Sequence, residues 1–194
     1  MTVTKKDVGY FARIIGMLLV ITMCVALLLA VVNMITKDTI AENERAQLEE
    51  AIGELFKDAK EPKPKQLNVK LNTKNDEIDS AFNALYLVTD GDAPIGFYAD
   101  VTPVGFKGGV SMLVGIDLTG KVTGIQILTH SETVGIGDKI EDESYLKKFK
   151  DADSIDAIEK IDTISQATYS STAVKNGVKT AIAAYNAYVG GAGK

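Results

Sequence analysis

The chain has 194 residues and a formal net charge of −5, with one histidine, one cysteine and no tryptophan. The acidic balance excludes the basic footprint of a nucleic-acid binder. A lone cysteine excludes an intrachain disulfide or a cysteine-ligated cluster, and a single histidine argues against an ordinary zinc site, so no metal is expected.

The first element is apolar. Ile14 to Thr36 carries no charged residue, and a helix of that length spans about 34 Å, enough for a hydrocarbon core of about 30 Å. Its apolar circumference is unbroken, unlike a core helix with one buried stripe. It is longer than the roughly 7–15-residue apolar region of a cleaved signal, and the exit from Asn33 to Asp38 has no cleavage pattern. The expectation is a retained single-pass anchor, residues 14–36, in the cell membrane. Lys5, Lys6 and Arg13 precede it, whereas Lys37 and Arg45 follow it among Asp38, Glu42 and Glu44. The positive-inside rule then assigns residues 1–13 to the cytoplasm and the rest to the outside.

Asp38 to Lys60 reads as a charged helix with apolar Leu48, Ile52, Leu55 and Phe56. Glu61-Pro62-Lys63-Pro64-Lys65 ends it, since proline cannot continue a helix and restricts its predecessor. Residues 37–65 are thus a connecting helix and linker, and 66–194 are of a size for one globular domain. Within it, Ala84–Thr89 and Ile95–Val101 are strand-like runs around the turn Asp90-Gly91-Asp92. Gly109–Leu118 and Val122–Thr129 flank Thr119-Gly120-Lys121 in the same way. Glu143–Lys150 and Thr172–Val189 have helical patterns, the latter with Ala173, Val174, Val178, Ala181 and Ile182 on one face. The fold class expected is α+β, a largely antiparallel sheet flanked by helices, with one N-terminal transmembrane helix.

Three stretches of the domain have the composition of a site. Gly105-Phe106-Lys107-Gly108-Gly109 lies between strands. His130-Ser131-Glu132-Thr133-Val134-Gly135-Ile136-Gly137 follows one. Glycine in either permits close backbone approach, although singly each is more often a turn. The third is the hydroxyl-dense run from Ser165 to Thr172, in which only Gln166 and Ala167 lack a hydroxyl. No lysine or arginine lies between Lys160 and Lys175, so this run suits a phosphate met by hydroxyls and the free N–H groups of a helix start. The plainer alternative is that Ser170, Ser171 or Thr172 caps a helix. His130 with Ser131 and Glu132 also admits a hydrolase reading, but no nucleophile-elbow motif accompanies it.

Taken together, the apolar span, HSETVGIG and DTISQATYSS resemble the covalent FMN-binding family of electron-transfer subunits. Its members include the G subunit of the Rnf ferredoxin:NAD oxidoreductase and the C subunit of the sodium-pumping NADH:quinone reductase. The family pattern Ser/Thr-Gly-Ala-Thr-x-Ser/Thr falls on Ser165, Gln166, Ala167, Thr168, Tyr169 and Ser170, with Gln166 in place of glycine. The family's His-x-Glu-Thr-Pro-Gly-Leu-Gly has Val134 for proline and Ile136 for leucine. The resemblance implies FMN joined through its phosphate to the Thr168 hydroxyl by a flavin transferase. It further implies cofactor contacts from His130, Glu132, Thr133, Val134, Gly135, Ile136 and Gly137, and from Asp162, Ser165, Gln166, Ala167, Tyr169, Ser170 and Ser171. Glu132 and Thr133 are expected to bond to the polar edge of the flavin. The partners implied are the other membrane and peripheral subunits of an Rnf-type complex coupling ferredoxin:NAD electron transfer to Na+ or H+ translocation. The chain is then a redox subunit and no stand-alone catalyst; its span has no acidic residue to carry an ion. The competing expectation is a membrane-anchored binding or assembly module without a cofactor.

Overall fold

A computed structural model describes residues 5–191. Residues 1–4 and 192–194, at the ends of the sequence-based segments 1–13 and 66–194, lie outside the described residues. So do the side chains of Lys5, Lys6 and Asp7, on which the orientation expectation partly rests.

The first helix, α1 (Lys5–Leu55), runs without a break through the apolar span and the charged segment that follows. None of its apolar window is buried within the protein, and Leu18, Leu19, Leu27, Leu28 and Leu29 are all exposed. That distribution suits lipid contact and not a packed interior. The chain divides into two compact units, one up to Gln47 and one from Leu48 to Lys194.

The second unit holds a five-stranded antiparallel meander. Its strands are β1 (Pro62–Leu67), β2 (Phe82–Asp90), β3 (Ala93–Val101), β4 (Ser111–Ile116) and β5 (Val122–Thr129), hydrogen-bonded in chain order. The remaining helices are α2 (Asp76–Ala81), α3 (Glu143–Leu146), α4 (Ile155–Glu159) and α5 (Thr168–Gly191). Side chains alternate across the sheet, as the two-residue period of a strand requires. Leu85, Phe97, Ala99, Val101, Met112, Val114 and Ile116 join Val174, Val178, Ala181 and Ile182 of α5 in the main core. Val88, Tyr98 and Leu113 instead pack with Ala51 and Ile52 at the end of α1, so the sheet is covered on both faces.

Several element ends differ from the sequence expectation. The first helix stops at Leu55, ahead of Lys60. The backbone N–H groups of Lys60 and Glu61 both donate to the Asp90 carboxylate at 3.2 Å, so a distant side chain turns the chain before Pro62. Pro62 and Pro64 do not sit in a linker. They lie in the edge strand β1, paired only with β2, where a missing N–H is tolerated. The Glu143–Lys150 pattern resolves into the single-turn α3 and a 3-10 turn at Lys147–Phe149.

The largest difference is at α5, which begins at Thr168 and not at Thr172. Ser170 and Ser171 therefore lie in its first turn, and none of Ser170, Ser171 and Thr172 is its cap. The Ser171 hydroxyl donates to Ala167 O at 2.6 Å and accepts from Ile164 N–H at 3.1 Å. The hydroxyl thus shares Ala167 O with the first helix N–H and ties the helix start to the preceding loop at Ile164.

Candidate functional site

The segment leading into α5 is held from both sides. Lys175 is only 8% exposed, and its ammonium donates to the carbonyls of Glu159 at 3.0 Å and Ile161 at 2.8 Å. Lys179 of the same helix pairs with the Glu159 carboxylate. Tyr145 donates its buried hydroxyl to Ser171 O at 3.1 Å, and burial pushes that phenol up to about 12. Between these anchors Ala167 N–H bonds to Ile164 O at 3.0 Å, closing a turn whose third residue, Gln166, has φ +68°. Positive φ at that place is the geometry glycine adopts at no steric cost.

The first α5 bond runs from Ser171 N–H to Ala167 O at 2.9 Å. Ala167 occupies the cap position, and its methyl accepts no hydrogen bond. Among the described residues no side chain accepts from the N–H groups of Thr168, Tyr169 and Ser170. Thr168 is exposed at the head of this helix, and its hydroxyl makes no hydrogen bond among the described residues.

Glu132 joins this helix start to the two glycine-bearing loops. Its residue is only 5% exposed. One carboxylate oxygen accepts from Lys107 N–H at 3.0 Å and the other from the Ser170 hydroxyl. Burial pushes its pKa up, but the bonds from Ser170, Lys107 N–H and Phe106 N–H outweigh that and hold it below the usual range. The clamp needs two glycines. A Cβ at Gly105 would lie 2.5 Å from Glu132 Oε1, and one at Gly137 would lie 2.9 Å from both Glu132 Cβ and Ser170 Oγ. The carboxylate is thus engaged by the protein's own donors, whereas Thr133, half-buried, lines the cleft it helps to form.

That cleft has a volume of about 240 Å³ and is bounded by Phe106, Glu132, Thr133, Ile136, Gly137 and the run from Gln166 to Ser170. Its rim is apolar and open: Phe106 is 64% and Tyr169 73% exposed, with ring centroids 6.1 Å apart at 41°. Val134 projects nearby in sequence, in a turn where Gly135 has φ +80° and donates to Asp138 at 2.8 Å. The arrangement fits a flat, phosphate-bearing group: exposed apolar and aromatic surface, an unengaged hydroxyl, and free N–H groups at a helix start.

Not every residue singled out by the sequence reaches the cleft. Asp162 and Ser165 are exposed on the preceding loop, and Ser171 turns inward to its structural bonds. His130 accepts from Glu132 N–H through Nδ1 at 3.1 Å, so its neutral form carries the proton on Nε2, which lies 2.9 Å from Glu141. With both nitrogens so engaged, neither activates a hydroxyl, and the hydrolase reading loses its base. Phe106 is a cleft residue absent from the sequence-based site. The glycine-rich stretch around it was the available signal, but its contact with Tyr169 was not legible. A larger open cavity of about 380 Å³ between the end of β1 and the start of β2 is lined by Gln66, Leu67, Asn68, Val69, Phe82, Asn83 and Ala84. It contains no titratable side chain.

Residues 105–183 match the family model of the FMN-binding domain, and residues 16–55 match that of the RnfG N-terminal region. The G subunit of the ion-translocating oxidoreductase complex of Shewanella amazonensis is 34% identical over 128 residues, covering 65% of this chain and 58% of that one. Its counterpart from Photorhabdus laumondii is 36% identical over 115 residues, covering 59% and 55%. The chain thus spans a little over half the length of these curated relatives. Among solved structures, the crystal structure of Shewanella oneidensis NqrC superposes with a TM-score of 0.52 at 15% identity, over 71% of this chain and 86% of that one. This likeness supports a common fold.

Proposed function

From the premise that this chain belongs to the FMN-binding family of Rnf G subunits, we propose that it is an electron-transfer subunit of a membrane-bound Rnf-type complex. FMN is held as a phosphoester on the Thr168 side-chain oxygen, placed there by a flavin transferase that breaks the pyrophosphate of FAD, the threonine hydroxyl losing its proton and AMP leaving. The observation that carries this reading is Thr168 itself, an exposed and unengaged hydroxyl at the head of α5, inside the cleft.

Each part of the site has a task in this reading. The phosphodiester retains one negative charge, which the first-turn N–H groups of α5 stabilise without a cationic side chain. Lys175 and Lys179 fix the loop ahead of Thr168, so the acceptor oxygen has one position. The clamp at Glu132 keeps the walls of the cleft together. The flavin supplies the redox chemistry, while the protein supplies binding, orientation and electrostatics. The apolar span of α1 is the membrane anchor, with residues 1–13 cytoplasmic and the domain from residue 66 extracytoplasmic. The other subunits of the complex supply and receive the electrons and couple their flow, from ferredoxin to NAD, to Na+ or H+ translocation.

Co-expression of the full chain with a flavin transferase tests this. A denaturing gel under illumination should show a fluorescent band for the parent and none for Thr168→Ala, and intact mass should exceed the polypeptide by one FMN moiety. A parent of unmodified mass beside an active transferase would leave the cofactor-free assembly module as the better account.

A further inference from the structure

The geometry points to Phe106 and Tyr169 as an aromatic jaw on the rim of the cleft, closed on itself at rest and positioned by the Glu132 clamp, against which the flat ring of the flavin packs. This rests on the flavin reading above and assigns the ring-binding contact within it. The two rings come from segments far apart in sequence, yet they meet at 6.1 Å between centroids over the same cleft. Both are more than three-fifths exposed. Large aromatic surface left in water is unfavourable, whereas the same surface against another ring gains burial and an offset or edge contact.

Gly105 N–H bonds to Gly108 O at 2.7 Å, making a tight turn with Phe106 near its tip. The turn is fixed from outside by the buried Glu132 carboxylate, which takes the N–H groups of Phe106 and Lys107. The second oxygen of that carboxylate holds Ser170, the residue after Tyr169. One side chain therefore sets the spacing of both rings. Tyr169 also directly follows Thr168, so a flavin tethered to that hydroxyl starts its path beside the jaw. The occupant is accordingly the isoalloxazine of the tethered group, and the FMN-binding family match, residues 105–183, includes both aromatics.

The test uses the full chain loaded by a flavin transferase and purified in detergent, with readings taken per attached FMN. Flavin fluorescence anisotropy and quenching by iodide report ring mobility and exposure. Phe106→Ala and Tyr169→Ala should each lower the anisotropy and raise the iodide quenching constant severalfold, while Phe106→Tyr and Tyr169→Phe stay at parent values. Phe106→Leu, which keeps apolar bulk, guards against a misfolded alanine variant and should fall between. A loaded parent whose alanine and leucine variants keep parental anisotropy and quenching would overturn the jaw and leave the electron-carrier reading standing. Folded Phe106→Ala and Phe106→Leu proteins that take up no FMN would also overturn it, assigning the turn to the transferase. A parent that carries no FMN would overturn both.

Discussion

Replacing Gln166 by glycine is expected to stabilise the folded chain. At φ +68° the backbone lies where an L side chain costs about 1–2 kcal/mol. Glycine removes that cost but adds about 0.5–1 kcal/mol of freedom to the unfolded chain. Gln166 is exposed, and its side chain makes no hydrogen bond among the described residues, so no other contact enters the sum. The net gain is roughly 1 kcal/mol, which for a domain of this size raises Tm by about 2–4 °C. Gln166→Ala is the decisive control, because alanine keeps the left-handed penalty and should gain little. Gln166→Asn should recover part of the gain, since asparagine enters this region more readily. The chain has no tryptophan, so thermal unfolding of the flavin-free protein in detergent is best followed by tyrosine near-ultraviolet circular dichroism. An alanine variant as stable as the glycine variant, or a glycine variant less stable than the parent, would refute the argument from backbone conformation.

Two further predictions concern the clamp. The folded-state pKa of Glu132 is depressed, so its contribution is present above the unfolded value of about 4.3 and is lost as pH falls through the folded one. Glu132→Gln keeps a partner for Ser170 by reversing that hydroxyl's role. Its stability should therefore fall less steeply than the parent's below about pH 4.3, whereas Glu132→Ala leaves buried donors unpaired and should lose about 1–3 kcal/mol at neutral pH. Identical acid-unfolding profiles for the parent and Glu132→Gln would contradict the shift. Gly137→Ala forces a methyl to 2.9 Å from Glu132 and Ser170 and should cost about 1–3 kcal/mol in urea unfolding; wild-type stability there would show that the clamp yields freely.

Local pattern made much of the sheet legible. Val122–Thr129 has the same ends in sequence and structure because its turn residues and alternation agree. The α5 face from Ala173 to Ile182 was readable from its helical period and is buried on the sheet as expected. Elements that depend on distant partners were not readable. The edge strand β1 is dominated by proline and lysine, and only its pairing with β2 makes it a strand. The early start of α5 relies on Ile164 N–H and Tyr145 to occupy Ser171. At the candidate site the residue types stood out in sequence, but the links of Glu132 to Lys107 and Ser170 cross 25 and 38 residues. No periodicity encodes contacts of that range, which is why the clamp was not legible and Phe106 was missed.

The prolines of β1 also govern how neighbouring copies behave. A sheet margin with bare amide hydrogens invites a foreign strand to zip alongside, and crowding in a lipid plane multiplies such encounters. Pro62 and Pro64 offer no hydrogen there, and Lys63 and Lys65 add like charge. This margin therefore gives a neighbouring copy no template on which to add a strand.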